Sequence, residues 1–342
     1  MLSEKVIDRM TDVLADRIND LQTTIIEEIA KSIAEIGQLT PSKAHQLIEV
    51  LRYGGSYNNI INKIRQVTNL NNKQIMEIFE ETAKQNQEFA KAFYTFKQID
   101  YIPYNSNIAL QRQVKAMAKL TQDTYINLMN NSAFMTIENG KKVFTPLSKI
   151  YQETLDKAVT SLSMGQESFN QVMRKTITEL SEGGIRTVDY ASGRSVRLDS
   201  AVRMNISDGM LQLSNELQEQ FGEEFGSDGI EISHHINAAP DHIDTIDGKQ
   251  FFKPLNEKEK AQQYKVVKGK RYKNFDIVND SLQRPVSTMN CRHYKFSIVL
   301  GVSRANFTDE EIEADKKKNQ DGFTFHEKHY TMYERNAVAK VY

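Results

Sequence analysis

The sequence predicts a mainly α fold, with an extended N-terminal helical domain followed by a small α+β C-terminal domain. Three observations predict it. Through most of the first 183 residues apolar side chains recur every three or four positions, the spacing of one helix face. Beyond Gly229 that period shortens to short strand-like runs punctuated by turns. Six of the seven histidines and the single cysteine lie beyond residue 230, so the ligand-bearing side chains are concentrated in the last third. The expected boundaries are 1–183 for the helical scaffold, 184–229 for a hairpin and linker helix, and 230–342 for the α+β domain.

The first helix runs from Ser3 to Ile36, where Ile7, Met10, Leu14, Ile18, Leu21, Ile25, Ile29, Ile33 and Ile36 form one stripe that Gly37 ends. Its near-heptad rhythm suits packing within a bundle or, alternatively, self-association through this helix. Thr40-Pro41 supplies a cap and a first-turn proline for a second helix to about Arg52. Two further helices are expected over Ser56–Val67 and Asn72–Lys97, the latter with Ile75, Ile78, Phe79, Phe89, Phe93 and Phe96 on its core face. Pro103 interrupts the helical run. A helix from Asn107 to Asn130, a small hairpin about Asn139-Gly140, and helices from Pro146 to Leu162 and Gln166 to Leu180 follow.

Gly183-Gly184 marks the change of register, and Ile185–Tyr190 and Arg194–Arg197 read as a strand pair. Asp199 is placed to cap the linker helix that presents Val202, Ile206, Met210, Leu213, Leu217 and Phe221 on one face. Strands are then expected at Ile230–Ser233, around Val266-Val267 and Arg271–Ile277, and at Tyr294–Leu300, with the hairpin signal strongest at Asp247-Gly248. Thr308 and Glu311 have a capping-box spacing, Phe323–Tyr330 reads as a strand or hairpin, and Met332–Val341 as a short helix.

Composition excludes several functions. With 44 basic and 45 acidic residues the net charge is -1, so no global field draws the chain to nucleic acid or a membrane surface. One cysteine rules out an internal disulfide framework and fits a reducing compartment during synthesis. No apolar run approaches the roughly 20 residues that span a bilayer, and the N-terminus lacks a signal-peptide layout, so the protein is expected on the cytoplasmic side with no membrane partner.

The chemistry lies in two segments about fifty positions apart. His235, His242, Cys291 and His293 make a set of nitrogens and one sulfur that zinc accepts, with Asp241 as a further ligand or an orienter. The spacings His-x6-His and Cys-x-His are not standard zinc spacings, and the same residues serve as hydrogen-bonding braces, so a cofactor-free structural cluster is the first expectation and zinc the alternative. A hydrolytic reading assigns His234 or His235 as base, Asp241 or Asp247 as magnesium ligand and Asn290 as orienter, as in a metal-dependent nuclease. Cys291 beside His293 as a nucleophile pair lacks an identifiable third group. The run Lys258, Lys260, Lys265, Lys268, Lys270, Arg271 and Lys273, interleaved with Tyr264 and Tyr272, is either a solvated face or a non-specific contact to double-stranded DNA phosphates.

The order of these motifs carries a resemblance. His235-x6-His242 enclosing Pro240 and Asp241, then Asp247-Gly248-Lys249 before Phe251, then Arg284-Pro285, Asn290-Cys291-Arg292-His293 and Gly301-Val302-Ser303, resembles the phage minor capsid protein 2 family, which is similar to the MuF-type head morphogenesis proteins of tailed bacteriophages. The likeness spans about 232–335 and, more faintly, the helical part. It implies a structural virion protein rather than an enzyme: a minor head component with phage portal and capsid proteins as partners, helping head assembly and DNA packaging or ejection. The helical part would dock the portal or inner shell and the C-terminal domain would face the genome in the capsid interior. On this reading His235, Asp241, His242, Asn290, Cys291, Arg292 and His293 converge to knit the C-terminal domain together.

Overall fold

The computed structural model describes residues 4–37, 55–138, 140–163, 167–188, 194–235, 238, 240–288 and 291–314. The helix expected from Pro41, the Ser192-Gly193 turn, Asn290 and the segments beyond residue 314 lie outside them. The fold is mainly helical with small antiparallel sheets, as the periodicities predict. It divides into two compact units, Met1–Asn86 with Ile102–Leu213, and Gln87–Tyr101 with Ser214–Tyr342. That division differs from boundaries at 183 and 229, because two long helices each contribute to both units.

In the first unit, α1 (Glu4–Gly37) buries its stripe: Leu14, Ile18, Leu21, Ile25, Ile29 and Ile33 are at most 2% exposed. They are covered by other residues of the chain, as packing within a bundle requires. The two helices expected on either side of Asn71 are one, α2 (Gly55–Lys97). Asn71 does not break it because its side chain is spent on α1, donating to the Leu14 carbonyl (3.2 Å) and accepting from Arg17 (3.1 Å), instead of competing for its own backbone. The predicted core face of α2 stops at Phe93; Phe96 is 56% exposed. After a 3₁₀ turn at Tyr104–Ser106, α3 (Ile108–Asn130) starts at Asn107, whose side chain accepts the Leu110 amide at 3.0 Å.

Strands β1 (Ser132–Glu138) and β2 (Lys141–Pro146) form the expected hairpin through Gly140. Helices α4 (Leu147–Ser163) and α5 (Phe169–Gly183) follow, α5 opening on a Ser168/Gln171 capping box. Strands β3 (Ile185–Val188) and β4 (Ser195–Arg197) complete a sheet of order β2-β1-β3-β4. Tyr151 of α4 shares a 2.8 Å hydrogen bond with Ser32 of α1, tying the helices beneath that sheet. Gly183 is needed for close approach, since a Cβ there would fall 1.6 Å from the Met135 carbonyl oxygen of β1. Gly183→Ala is therefore expected to destabilise the first unit by about 1–3 kcal/mol, as overpacking that backbone must absorb, read as a lowered melting temperature.

Helix α6 (Leu198–Phe225) begins one residue before Asp199, which sits in its first turn and pairs with Arg197 at 3.2 Å instead of capping the helix.

The second unit is built on a three-stranded antiparallel sheet of order β6-β5-β9, with β5 (Gly229–Ile232) central, β6 (Gln250–Phe252) and β9 (Lys295–Ile298). Ile230, Ile232 and Phe251 on one face pack with Ile246, Phe275, Leu282, Val286 and Cys291. On the other, Phe252, Ile298 and Leu300 meet Tyr272 and Phe93. The α2 and α6 segments of this unit add aromatic contacts, Phe89 to Phe296 (5.4 Å between centroids) and a Phe93–Phe225 stack (4.8 Å). Around the sheet lie α7 (Pro240–Ile243), α8 (Glu257–Lys260), the hairpin β7 (Tyr264–Val267) to β8 (Lys270–Lys273), and α9 (Phe275–Asp280).

Two turn expectations are corrected. The hairpin with two successive positive-φ residues forms at Lys268 (φ 46) and Gly269 (φ 80), not at Asp247-Gly248. Ile277, expected on the returning strand, is in α9 instead. The 309–314 segment is helical, with Thr308 and Glu311 exchanging the predicted reciprocal cap (3.0 and 3.2 Å). No helix among the described residues is long and apolar enough to cross a membrane.

Candidate functional site

Antiparallel order brings the two histidine segments to one end of the sheet. The last residues of β5, the approach to β6 and the approach to β9 are neighbours, since Glu231 faces Gln250 and Ile232 faces Lys295. The ladder continues outward: the Ser233 amide donates to the Tyr294 carbonyl (2.9 Å) and the Ile232 amide to the Lys249 carbonyl (2.9 Å). The histidines thus stand just beyond the strand ends and on α7, not within strands.

Asp247 is the hub. Its carboxylate is buried and accepts three hydrogen bonds: His234 Nδ1 at 2.6 Å, the His235 backbone amide at 2.8 Å and His293 Nε2 at 3.1 Å. Burial pushes its pKa up, but the bonds from His234, His293 and the His235 amide outweigh that and hold it at about 2. For His293, burial disfavours the charged ring, yet the bonds to Asp247 and Cys291 and their charges raise its pKa to about 9. Burial pushes His235 down to about 4, helped by the charges of His293 and Arg292. At Cys291 burial opposes ionisation, and the hydrogen bonds from His293 and Ser287 still bring the thiol below its ordinary value.

His242 lies in α7 with its Nε2 2.7 Å from the Arg284 carbonyl oxygen. A carbonyl only accepts, so Nε2 carries the proton and Nδ1 holds a lone pair in the neutral ring. That Nδ1 faces His293 Nδ1 at 3.3 Å, and Cys291 Sγ is 3.7 Å from the same His293 atom. The three ligand atoms lie within 4.8 Å of one another, and all three residues are buried.

The other predicted site residues fall as follows. His235 is buried with its ring beside that of His293 (5.8 Å between centroids), but it does not join the three-atom group. Asp241 accepts the Gln283 amide at 3.2 Å and is 3.9 Å from His242 Nε2, so the orienting role foreseen for it belongs to Asp247 and the Arg284 carbonyl. Pro240 opens α7. Gly248 (φ +68) is required both by its backbone and by Ile312, whose Cδ1 would be 2.3 Å from a Cβ there. Lys249 is exposed and reaches the Asp244 carbonyl; Arg292 is exposed; Gly301 (φ +71) closes the β9 segment.

The basic run is largely engaged internally. Lys260 pairs with Glu257 (2.6 Å), Lys265 with Glu259 (3.0 Å), Lys268 with the Gly301 carbonyl (2.9 Å) and Lys270 with Gln250 (3.3 Å). Arg271 lies over the Tyr264 ring at 3.5 Å, while Lys258 and Lys273 are exposed.

Two buried roles were not legible in the sequence. Asp247 was expected as a turn residue or a magnesium ligand, and only the packed structure turns its carboxylate inward as a hydrogen-bond hub. Glu231, fully buried in the central strand, accepts from Gln250 Nε2 (3.0 Å) and the Asn306 amide (2.6 Å), and no sequence pattern signals it.

The model of the family described as phage minor capsid protein 2 matches residues 2–338 of the chain. No curated protein and no solved structure matches it significantly. The match covers helical and histidine-bearing units alike, so the chain belongs to the phage minor capsid protein 2 family and is a structural protein of the phage virion.

Proposed function

We propose that this capsid protein works at the portal vertex of a tailed-phage head. In this reading its helical unit docks the portal or inner shell, and its histidine-bearing unit is a non-catalytic module facing the packaged genome, there to assist head assembly and DNA packaging or ejection. The observation that carries the reading is the family match along nearly the whole chain, which ties the role to both units rather than to one site. The buried hub fits the non-catalytic part: the Asp247 carboxylate accepts three hydrogen bonds from its own chain and so braces the segments that meet there.

The test is to quantify the protein in purified virions and in portal complexes captured after co-expression of the full chain with the portal protein of the same phage. The expected result is co-purification with the portal and a copy number that follows the portal, not the major shell protein. Abundance matching the shell protein, with no portal complex, would contradict it. Incubating the purified protein with double-stranded DNA and divalent metals is expected to give no cleavage; cleavage abolished by His235→Ala would establish a head-borne nuclease instead.

A further inference from the structure

Two imidazole Nδ1 atoms facing each other at 3.3 Å across a buried gap hold something positive between them, either a proton or a metal ion. The Arg284 carbonyl fixes the proton of His242 on Nε2, and the Asp247 carboxylate fixes that of His293 on Nε2, so both Nδ1 atoms turn toward one point. Cys291 Sγ borders the same point. A tetrahedral zinc ion, with bonds of about 2.0–2.1 Å to nitrogen and about 2.3 Å to sulfur, holds its ligands about 3.4 Å (N–N) and about 3.6 Å (N–S) apart. The observed separations are 3.3 Å between the nitrogens and 3.7 Å from His293 Nδ1 to sulfur.

We propose that His242 Nδ1, His293 Nδ1 and Cys291 Sγ bind one zinc ion, with Asp247 and the Arg284 carbonyl orienting the two rings from outside the coordination sphere. Imidazole and thiolate together suit Zn²⁺ far better than Mg²⁺ or Ca²⁺, which prefer oxygen. Three protein atoms leave the fourth position to a water molecule. The arrangement differs from the four-ligand set visible in the sequence: His235 stays outside it, and Asp241 is replaced as orienter by Asp247. Cys291, His293 and Asp247 also line up as nucleophile, base and orienter. However, Cys291 is only 7% exposed among Leu282 and Val286, and a nucleophile reading leaves the inward lone pair of His242 without a role.

The competing occupant is a proton shared between the two rings, and metal analysis separates them. Purified full-length protein is expected to carry about one zinc per chain, with Cys291→Ser and His242→Asn falling below about a tenth of that while His235→Ala keeps it. Because a variant that fails to fold would also lose metal, metal-free wild-type protein is titrated with Co²⁺. Tetrahedral visible bands and a thiolate-to-cobalt charge-transfer band are expected, both displaced by one equivalent of Zn²⁺. Asp247→Asn is expected to weaken zinc affinity by roughly 10–100-fold in chelator competition. Absence of the charge-transfer band in wild type would overturn the site in favour of the proton. Loss of zinc in His235→Ala as complete as in Cys291→Ser would overturn the ligand set, and unchanged affinity in Asp247→Asn would overturn the orienting role.

Discussion

Asp247→Ala is expected to cost about 3–5 kcal/mol and to unfold the C-terminal unit, because it removes the acceptor for three buried donors at once. His234 Nδ1, His293 Nε2 and the His235 amide all converge on this carboxylate, whose side chain is 1% exposed. Without it the Nε2–H of His293 and the amide of His235 lose their acceptor where water does not reach. Denaturant unfolding followed together with limited proteolysis checks this: new cleavage is expected between Ser214 and residue 314. A loss below about 1 kcal/mol would mean that the carboxylate is an accessory and not a hub.

Phe251→Ala is the second large effect, expected at about 3–5 kcal/mol from lost burial plus the cavity left behind. The ring is 1% exposed, stands opposite Ile230 in the β5–β6 register and meets the edge of Phe275 at 5.9 Å. It also anchors the start of β6, four residues after Asp247, so its removal loosens the hub through the strand that positions it. Phe96→Ala, 56% exposed, is the matched control and is expected to change stability by less than about 0.5 kcal/mol. Equal melting temperatures for the two variants would contradict the assignment of the core.

What was legible in the sequence is what short-range physics decides. The α1 stripe needed only 3.6-residue periodicity, and the caps at Asn107 and Thr308/Glu311 needed only a side chain within three residues of its amide. What was hidden depends on distant partners. The gap expected between Val67 and Asn72 is helical, and the two tertiary hydrogen bonds that engage Asn71 there, to Leu14 and Arg17, come from more than fifty positions away. The strand pair about Gly269 was legible from Val266-Val267 and Arg271, whereas Asp247-Gly248 carried the stronger turn signal and is used otherwise. The histidine and cysteine positions were identifiable by residue type. Which nitrogen of each ring points inward was not, since that is set by a backbone carbonyl at Arg284 and by the Asp247 carboxylate, expected as a turn residue or a magnesium ligand.

The most direct measurement is residue-resolved hydrogen exchange on the wild-type chain and on Asp247→Ala. If one buried carboxylate closes this end of the sheet, the amides of Ile232, Ser233, His235 and Tyr294, each bonded across the segments that meet there, exchange slowly in wild type. In the variant all four are predicted to accelerate together, while the amides of α1 keep their wild-type protection. Fast exchange at His235 in wild type, or acceleration confined to His235 in the variant, would contradict the account.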